Sequence, residues 1–154
     1  MSPHERDTQQ TKWAATFLIA GELAKRGWNV GLTHGNTATE DILAHHPESG
    51  RHVTIDSKGI RAPGHWFGNG LVGEQRKKDH HFMVFVAIPF TNDPARFYIV
   101  PARKAVEMAD YNRVHPGPRV TRPVPSLFES PRRDSPQMKT LELFRDRWDL
   151  LQEA

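Results

Sequence analysis

Asn36–Gly59, NTATEDILAHHPESGRHVTIDSKG, is the stretch on which the reading of the whole chain turns. Asp41 opens a short apolar run, Ile42-Leu43-Ala44. A turn follows at His46-Pro47-Glu48-Ser49-Gly50, then a second run that ends Ile55-Asp56-Ser57-Lys58. Turn-forming residues between two apolar runs signal reversal, so Asp41 to His45 and Arg51 to Lys58 are read as a hairpin. Side chains along a strand alternate between faces. Val53, Ile55 and Ser57 then share one face, and Thr54, Asp56 and Lys58 the other. The reversal carries Asp41 towards the Asp56/Lys58 pair. Two carboxylates and an ammonium at a sheet edge suit a divalent cation and a nucleophilic water beside a phosphate. A solvated hairpin with a surface salt bridge has the same spacing, so the triplet alone leaves both readings open.

The order D-x14-D-S-K resembles the PD-(D/E)XK nuclease superfamily, which includes type II restriction endonucleases and archaeal Holliday junction resolvases. The flanks match as well: Gly21-Glu22 on a helix, Gly27-Trp28-Asn29-Val30, and Gly35-Asn36-Thr37 ahead of Asp41. Further along, Phe82-Met83-Val84-Phe85-Val86 and Phe97-Tyr98-Ile99-Val100-Pro101 are similar to small bacterial members. The resemblance covers residues 15 to 110, with an echo at Arg147-Trp148-Asp149-Leu150. It implies an α/β, restriction-endonuclease-like fold, a mixed central β-sheet of about five strands flanked by an N-terminal helix and C-terminal helices. It also implies a magnesium or manganese ion held by Asp41, Asp56 and the backbone carbonyl of Ser57, with Lys58 as the catalytic ammonium. Serine is a departure here, since the family usually places an apolar residue at that position. In resolvase-like members a glutamate on the first helix joins the metal. Glu22 is the candidate for that role, or else a plain helix-surface residue.

The chain has 154 residues, 37% of them hydrophobic, which suits one domain with a real core. It has no cysteine, so disulfides and thiolate metal sites are excluded. The polar start MSPHERDTQQTK lacks a signal-peptide core, and no apolar run approaches the ~20 residues of a membrane span. The expectation is a cytoplasmic protein with no membrane contact. Net charge is +3, and residues 51 to 78 carry six Lys/Arg against two acids, a local excess that suits a polyanion.

Three segments are expected: a nuclease-like core over 1–112, a proline-rich extended segment over 113–136, and a C-terminal helix over 137–154. Within the core, the spacing predicts a helix from Gln9 to Arg26 with Trp13, Phe17, Ala20 and Ala24 buried and Gly27 as its cap. A strand follows from Trp28 to Thr33. The glycine-rich stretch 59–81 reads as a long loop, where many superfamily members carry a helix. Phe82 to Pro89 is the strongest strand, apolar on both faces and therefore central. Ala95 to Val100 is the next, and a short helix follows Pro101. Met138, Leu141, Phe144, Trp148 and Leu151 fall at helical spacing, a stripe to be buried on the domain or on a partner.

Asn36 and Thr37 either shape a turn or touch phosphate. Trp66, inside a basic glycine-rich stretch, either stacks on nucleobases or plugs the core, and Arg61, Arg76, Lys77 and Lys78 are the candidate phosphate contacts. Of nine histidines, His45 and His52 lie across the turn as a conceivable pair, but no H-x3-H or HExxH spacing supports a zinc site. The function these expectations converge on is a divalent-metal-dependent nuclease acting on DNA as a homodimer. Two alternatives stay open: a catalytically inactive nuclease-fold module that binds nucleic acid, and an accessory protein that binds a partner through its C-terminal helix.

Overall fold

The computed structural model describes residues 3–33, 40–62, 65–66, 79–105, 107, 127–128 and 141–153. Helix α1, Pro3–Lys25, lies on an open five-stranded mixed sheet. The strands are β1 Asn29–Leu32, β2 Ile42–His46, β3 Arg51–Ala62, β5 His81–Pro89 and β6 Arg96–Pro101, in the order β1-β2-β3-β5-β6. All neighbours are antiparallel except β3 and β5, which run parallel. A separate two-stranded pairing joins β4, His65–Trp66, to β7, Leu127–Phe128. Those two residues are the described part of the proline-rich segment. No helix among the described residues is long and apolar enough to cross a membrane.

Gly27, at a positive φ of 84°, ends α1. The Gly27 amide donates to Ala24 and the Trp28 amide to Leu23, a left-handed cap that satisfies the last carbonyls. The hairpin turn closes with Gly50 at φ 72°, its amide donating to the His46 carbonyl at 2.8 Å.

The sheet is covered on both faces. Under α1, one core gathers Ala15, Ile19, Leu23, Trp28, Ile42, Val53, Ile55, Val84 and Ile99. On the far face, a second core gathers Ile60, Met83, Phe85, Tyr98, Val100, Ala105 and Leu141. β5 feeds both, so eight of its nine residues are buried, as a strand apolar on both faces requires.

Three expectations need correction. The buried face of α1 is Thr11, Ala15, Thr16, Ile19 and Leu23 rather than Trp13, Phe17, Ala20 and Ala24. Ala20 is only half-buried, Ala24 is exposed, and Trp13 and Phe17, 44% and 57% exposed, stack on each other in solvent. Gly59 explains the rotation. A Cβ there would sit 2.6 Å from the Ala15 Cβ and 2.9 Å from the Thr11 carbonyl, so α1 rides directly on β3 with only small side chains at the crossing. The aromatics cannot enter so narrow a gap. For the same reason Gly59 does not begin a loop: β3 runs through it to Ala62.

The C-terminal stripe, in turn, is not one helix. Leu141 packs in the far core with Phe144 against it, while Trp148 and Leu151 pack in the core under α1. Between them the chain rounds the outer edge of β6. The Ile99 amide donates to Phe144 and the Asp146 amide to Phe97, with Asp146 at φ 53°. Residues on opposite faces of a sheet cannot share one helix face. The stripe is therefore split, and its last part is the helical turn Leu150–Glu153.

Overpacking of this kind costs about 1–3 kcal/mol. Gly59→Ala is therefore expected to lower stability by roughly that amount in urea denaturation. Gly21→Ala, in the same helix layer with nothing within 4 Å, is expected to be neutral or to stabilise by up to about 1 kcal/mol.

Candidate active site

Alternation along β3 sorts the motif. Val53 and Ile55 pack under α1, and Ser57 follows them, its hydroxyl 3.2 Å from that of Thr16 on the helix. Thr16 also bonds the Lys12 carbonyl at 3.0 Å. The departure at Ser57 thus has a physical reason: a polar residue is accommodated in the helix–sheet seam because a helix hydroxyl meets it.

Asp56 and Lys58 leave the opposite face. Lys58 Nζ lies 3.2 Å from Asp56 Oδ1, and their side chains are 24% and 6% exposed, respectively. A carboxylate this buried needs a cation beside it, and Lys58 supplies one while its ammonium still reaches solvent.

Asp41 arrives by a local irregularity. The register sets Ile42 opposite Ile55, yet the Asp41 amide also donates to the Ile55 carbonyl at 2.9 Å. Two residues thus face one, as in a β-bulge, a device that re-aims a side chain. The Thr33 amide donates to the Asp41 carbonyl at 3.1 Å, and its hydroxyl to the Glu40 carbonyl, which ties the bulge to the end of β1. The Asp41 side chain then turns to β3, where Oδ2 accepts the Ser57 amide at 2.9 Å. Beyond the start of β2 that amide has no strand partner on this side, and the carboxylate takes the place of one.

Lys12 completes the group, with Nζ 3.5 Å from Asp41 Oδ1. Two carboxylates therefore flank Ser57, each held by an ammonium, one coming from the helix side and one from the far face. Amide and carbonyl of one strand residue point the same way, so the Ser57 carbonyl is directed to the same open end as Asp41. Asp41, Asp56 and that carbonyl, at or next to Ser57, offer only oxygen donors. Magnesium or manganese fits such a set, because it accepts few protein ligands and retains water.

Glu22 does not join them. It sits at the other end of α1, ten residues beyond Lys12 and so ~15 Å away along the axis. Its carboxylate is engaged by Arg26 and, at 3.1 Å, by Lys25. The hydrogen bond from Arg26 is the main cause holding its pKa below the usual range, with Lys25 adding to it against slight desolvation. Arg61, on β3, holds its guanidinium 4.9 Å from the ring of Phe90. Trp66 lies in β4. Asn36, Thr37, Arg76, Lys77 and Lys78 lie outside the described residues.

The histidines show a different arrangement. His45 and His52 are cross-strand partners with stacked rings 4.5 Å apart, and His46 packs edge-on against Trp28. Among the described residues, no three His, Asp or Glu side chains converge on a point. His81, buried on β5, lies 2.6 Å through Nδ1 from the Thr54 hydroxyl, two register positions from Asp56.

Lys12 and Thr16 were not legible as site residues. They stand four apart on the flank of the Ala15–Ile19 face, and only the corrected helix phase reveals them. Comparison with profiles of known protein families, with curated proteins and with solved structures returns no match for this chain.

The Asp41–Ser57 bond predicts a separation in stability. Asp41→Ala leaves the Ser57 amide without its charged acceptor and is expected to cost about 1–3 kcal/mol. Faster amide exchange at Ser57 would accompany the loss. Lys12→Ala removes only an exposed ion pair and should cost no more than about 1 kcal/mol in the same urea titration.

Proposed function

We propose that this chain is a divalent-metal-dependent nuclease that hydrolyses phosphodiester bonds in DNA, with a PD-(D/E)XK site on a restriction-endonuclease-like fold. The observation that carries the reading is the pair of carboxylates on either side of Ser57, with Lys58 beside Asp56. The order of helix, three antiparallel strands and a parallel fourth behind the site supports it, as does the five-stranded mixed sheet.

In this reading Asp41, Asp56 and the Ser57 carbonyl hold magnesium or manganese. Bound there, the ion supplies Lewis acidity towards the phosphate and an acidified water near neutral pH. The chain's own residues do the rest. Lys58 is close enough to Asp56 to hold the attacking water in line, and its charge offsets the negative charge that builds on phosphorus. Asp56, nearly buried, has that same ammonium beside it as its counter-charge. Asp41 is fixed in rotation by the Ser57 amide, so the donor set is largely organised before any ligand arrives. One such domain makes one cut. Cleavage of both strands of a duplex would need a two-fold dimer.

The accessory-protein reading loses its main support. Leu141, Trp148 and Leu151, from the stripe expected to be buried on the domain or on a partner, are buried on this chain's own sheet. The inactive-module reading leaned on Ser57 and on the missing helix after the motif strand. The Thr16 contact gives Ser57 a packing reason, while residues 67–78, where that helix would fall, lie outside the described residues.

The test is a cleavage time course on plasmid, linear, single-stranded and four-way-junction DNA with an RNA control, in Mg²⁺ and then Mn²⁺. Wild type is expected to cut at least one substrate with metal and not with EDTA. Lys58→Ala is expected to lose turnover, by 10²-fold or more on the scale of a lost catalytic group (about 3 kcal/mol), with an unchanged circular dichroism spectrum. Glu22→Gln should cut at the wild-type rate. Equal cutting by wild type and Lys58→Ala would overturn the assignment.

A further inference from the structure

The reading above leaves one member of the charged group without a task. Lys12 comes from α1, on the side of the sheet opposite to Lys58, and meets Asp41 at 3.5 Å. Its side chain is 59% exposed, so the contact is neither buried nor locked. Its backbone, by contrast, is tied to the motif strand: the Lys12 carbonyl is bonded by Thr16, whose hydroxyl also meets Ser57. The root of the side chain is thus fixed and its tip free. The two aspartates and two lysines cancel in formal charge, so each carboxylate is neutralised before any divalent ion arrives.

Resting on the nuclease reading, we propose that Lys12 is a phosphate-contacting residue held in reserve by Asp41. A divalent ion on Asp41 competes with the ammonium for the same carboxylate. Once displaced, Lys12 stands at the mouth of the site with its charge unpaired and within reach of the DNA backbone. A phosphodiester at the open end of the sheet then meets one ammonium from each face, Lys58 at the reacting phosphate and Lys12 beside it. Occupancy of the ion and grip on the polyanion are coupled through one side chain.

The coupling makes two effects of opposite sign, neither of them read from turnover. Lys12→Gln removes the competitor, so Mn²⁺ alone, measured calorimetrically on the full chain, is expected to bind roughly 2–5-fold tighter, the scale of an exposed ion pair. The same change removes one phosphate contact. In a Lys58→Ala background, which keeps the carboxylates, Lys12→Gln is expected to weaken binding of a labelled DNA duplex in Mn²⁺. The slope of log affinity against log salt should fall by about one, uniformly across sequences. Lys12→Arg should restore that slope.

Mn²⁺ affinity that is unchanged or weaker in Lys12→Gln, or a salt slope equal to that of the Lys58→Ala parent, overturns the role of Lys12 while leaving the nuclease reading intact. Absence of Mn²⁺ binding by wild type together with absence of duplex binding by the Lys58→Ala parent overturns both.

Discussion

The seating of α1 on β3 is the contact on which the rest of the structure depends. It is made where Gly59 passes beneath Ala15 and the Thr11 carbonyl, with no room for a side chain on the strand. At that separation the helix must present small residues, and its rotation about its own axis is settled. Ile19 and Leu23 then drop into the core, Trp13 and Phe17 turn outwards, and Thr16 and Lys12 come to lie over Ser57 and Asp41. One close approach thus fixes both the hydrophobic layer and the position of the polar group.

The polar group itself follows the rule that ionised side chains near a core must be matched. Asp56 is nearly buried and has Lys58; Asp41 is half-buried and has both the Ser57 amide and Lys12. The match is made by a bulge at the start of β2, since a regular ladder would continue Asp41 as one more strand position. The amide of Ser57 would otherwise lie unpaired where β2 stops. A structural necessity and a candidate catalytic constellation therefore coincide at one residue, and the geometry that caps a strand also directs a carboxylate and a carbonyl to the same open end.

At the far side of the sheet the C-terminal segment serves a different end. β6 is an edge strand, and an exposed edge invites pairing with other chains. Phe144 and Asp146 bond to it, Leu141 and Trp148 clasp opposite faces, and Tyr98 donates its hydroxyl to Glu142 at 3.2 Å. Burial, with the Glu142 carboxylate next, pushes the Tyr98 phenol above its ordinary pKa, so it remains a neutral donor. The last turn also reaches the hairpin, where Ser49 bonds Gln152 at 3.1 Å. The strap joins both cores to the turn that precedes the motif strand.

Much of this was legible in the residues. Alternation along Val53–Lys58 determined which side chains leave together, the turn at Pro47–Gly50 determined that Asp41 returns towards them, and the unbroken apolar run Phe82–Ile88 determined a central strand. Period-two patterns are local, because the pleat of a single strand dictates them. What needed the tertiary structure was everything set by distance between elements. Trp13 and Phe17 have the spacing of a buried face, and the stripe from Leu141 to Leu151 has the spacing of a helix, yet the first is excluded by a narrow crossing and the second is split by a sheet edge. Gly59 reads as punctuation in sequence and is a contact in space. Lys12 and Thr16 carried no signal of their own, since their relation to Asp41 and Ser57 arises only when α1 settles. Periodicity says which residues of one element share a face; how closely two faces approach, and hence which residues the gap will admit, is decided by packing.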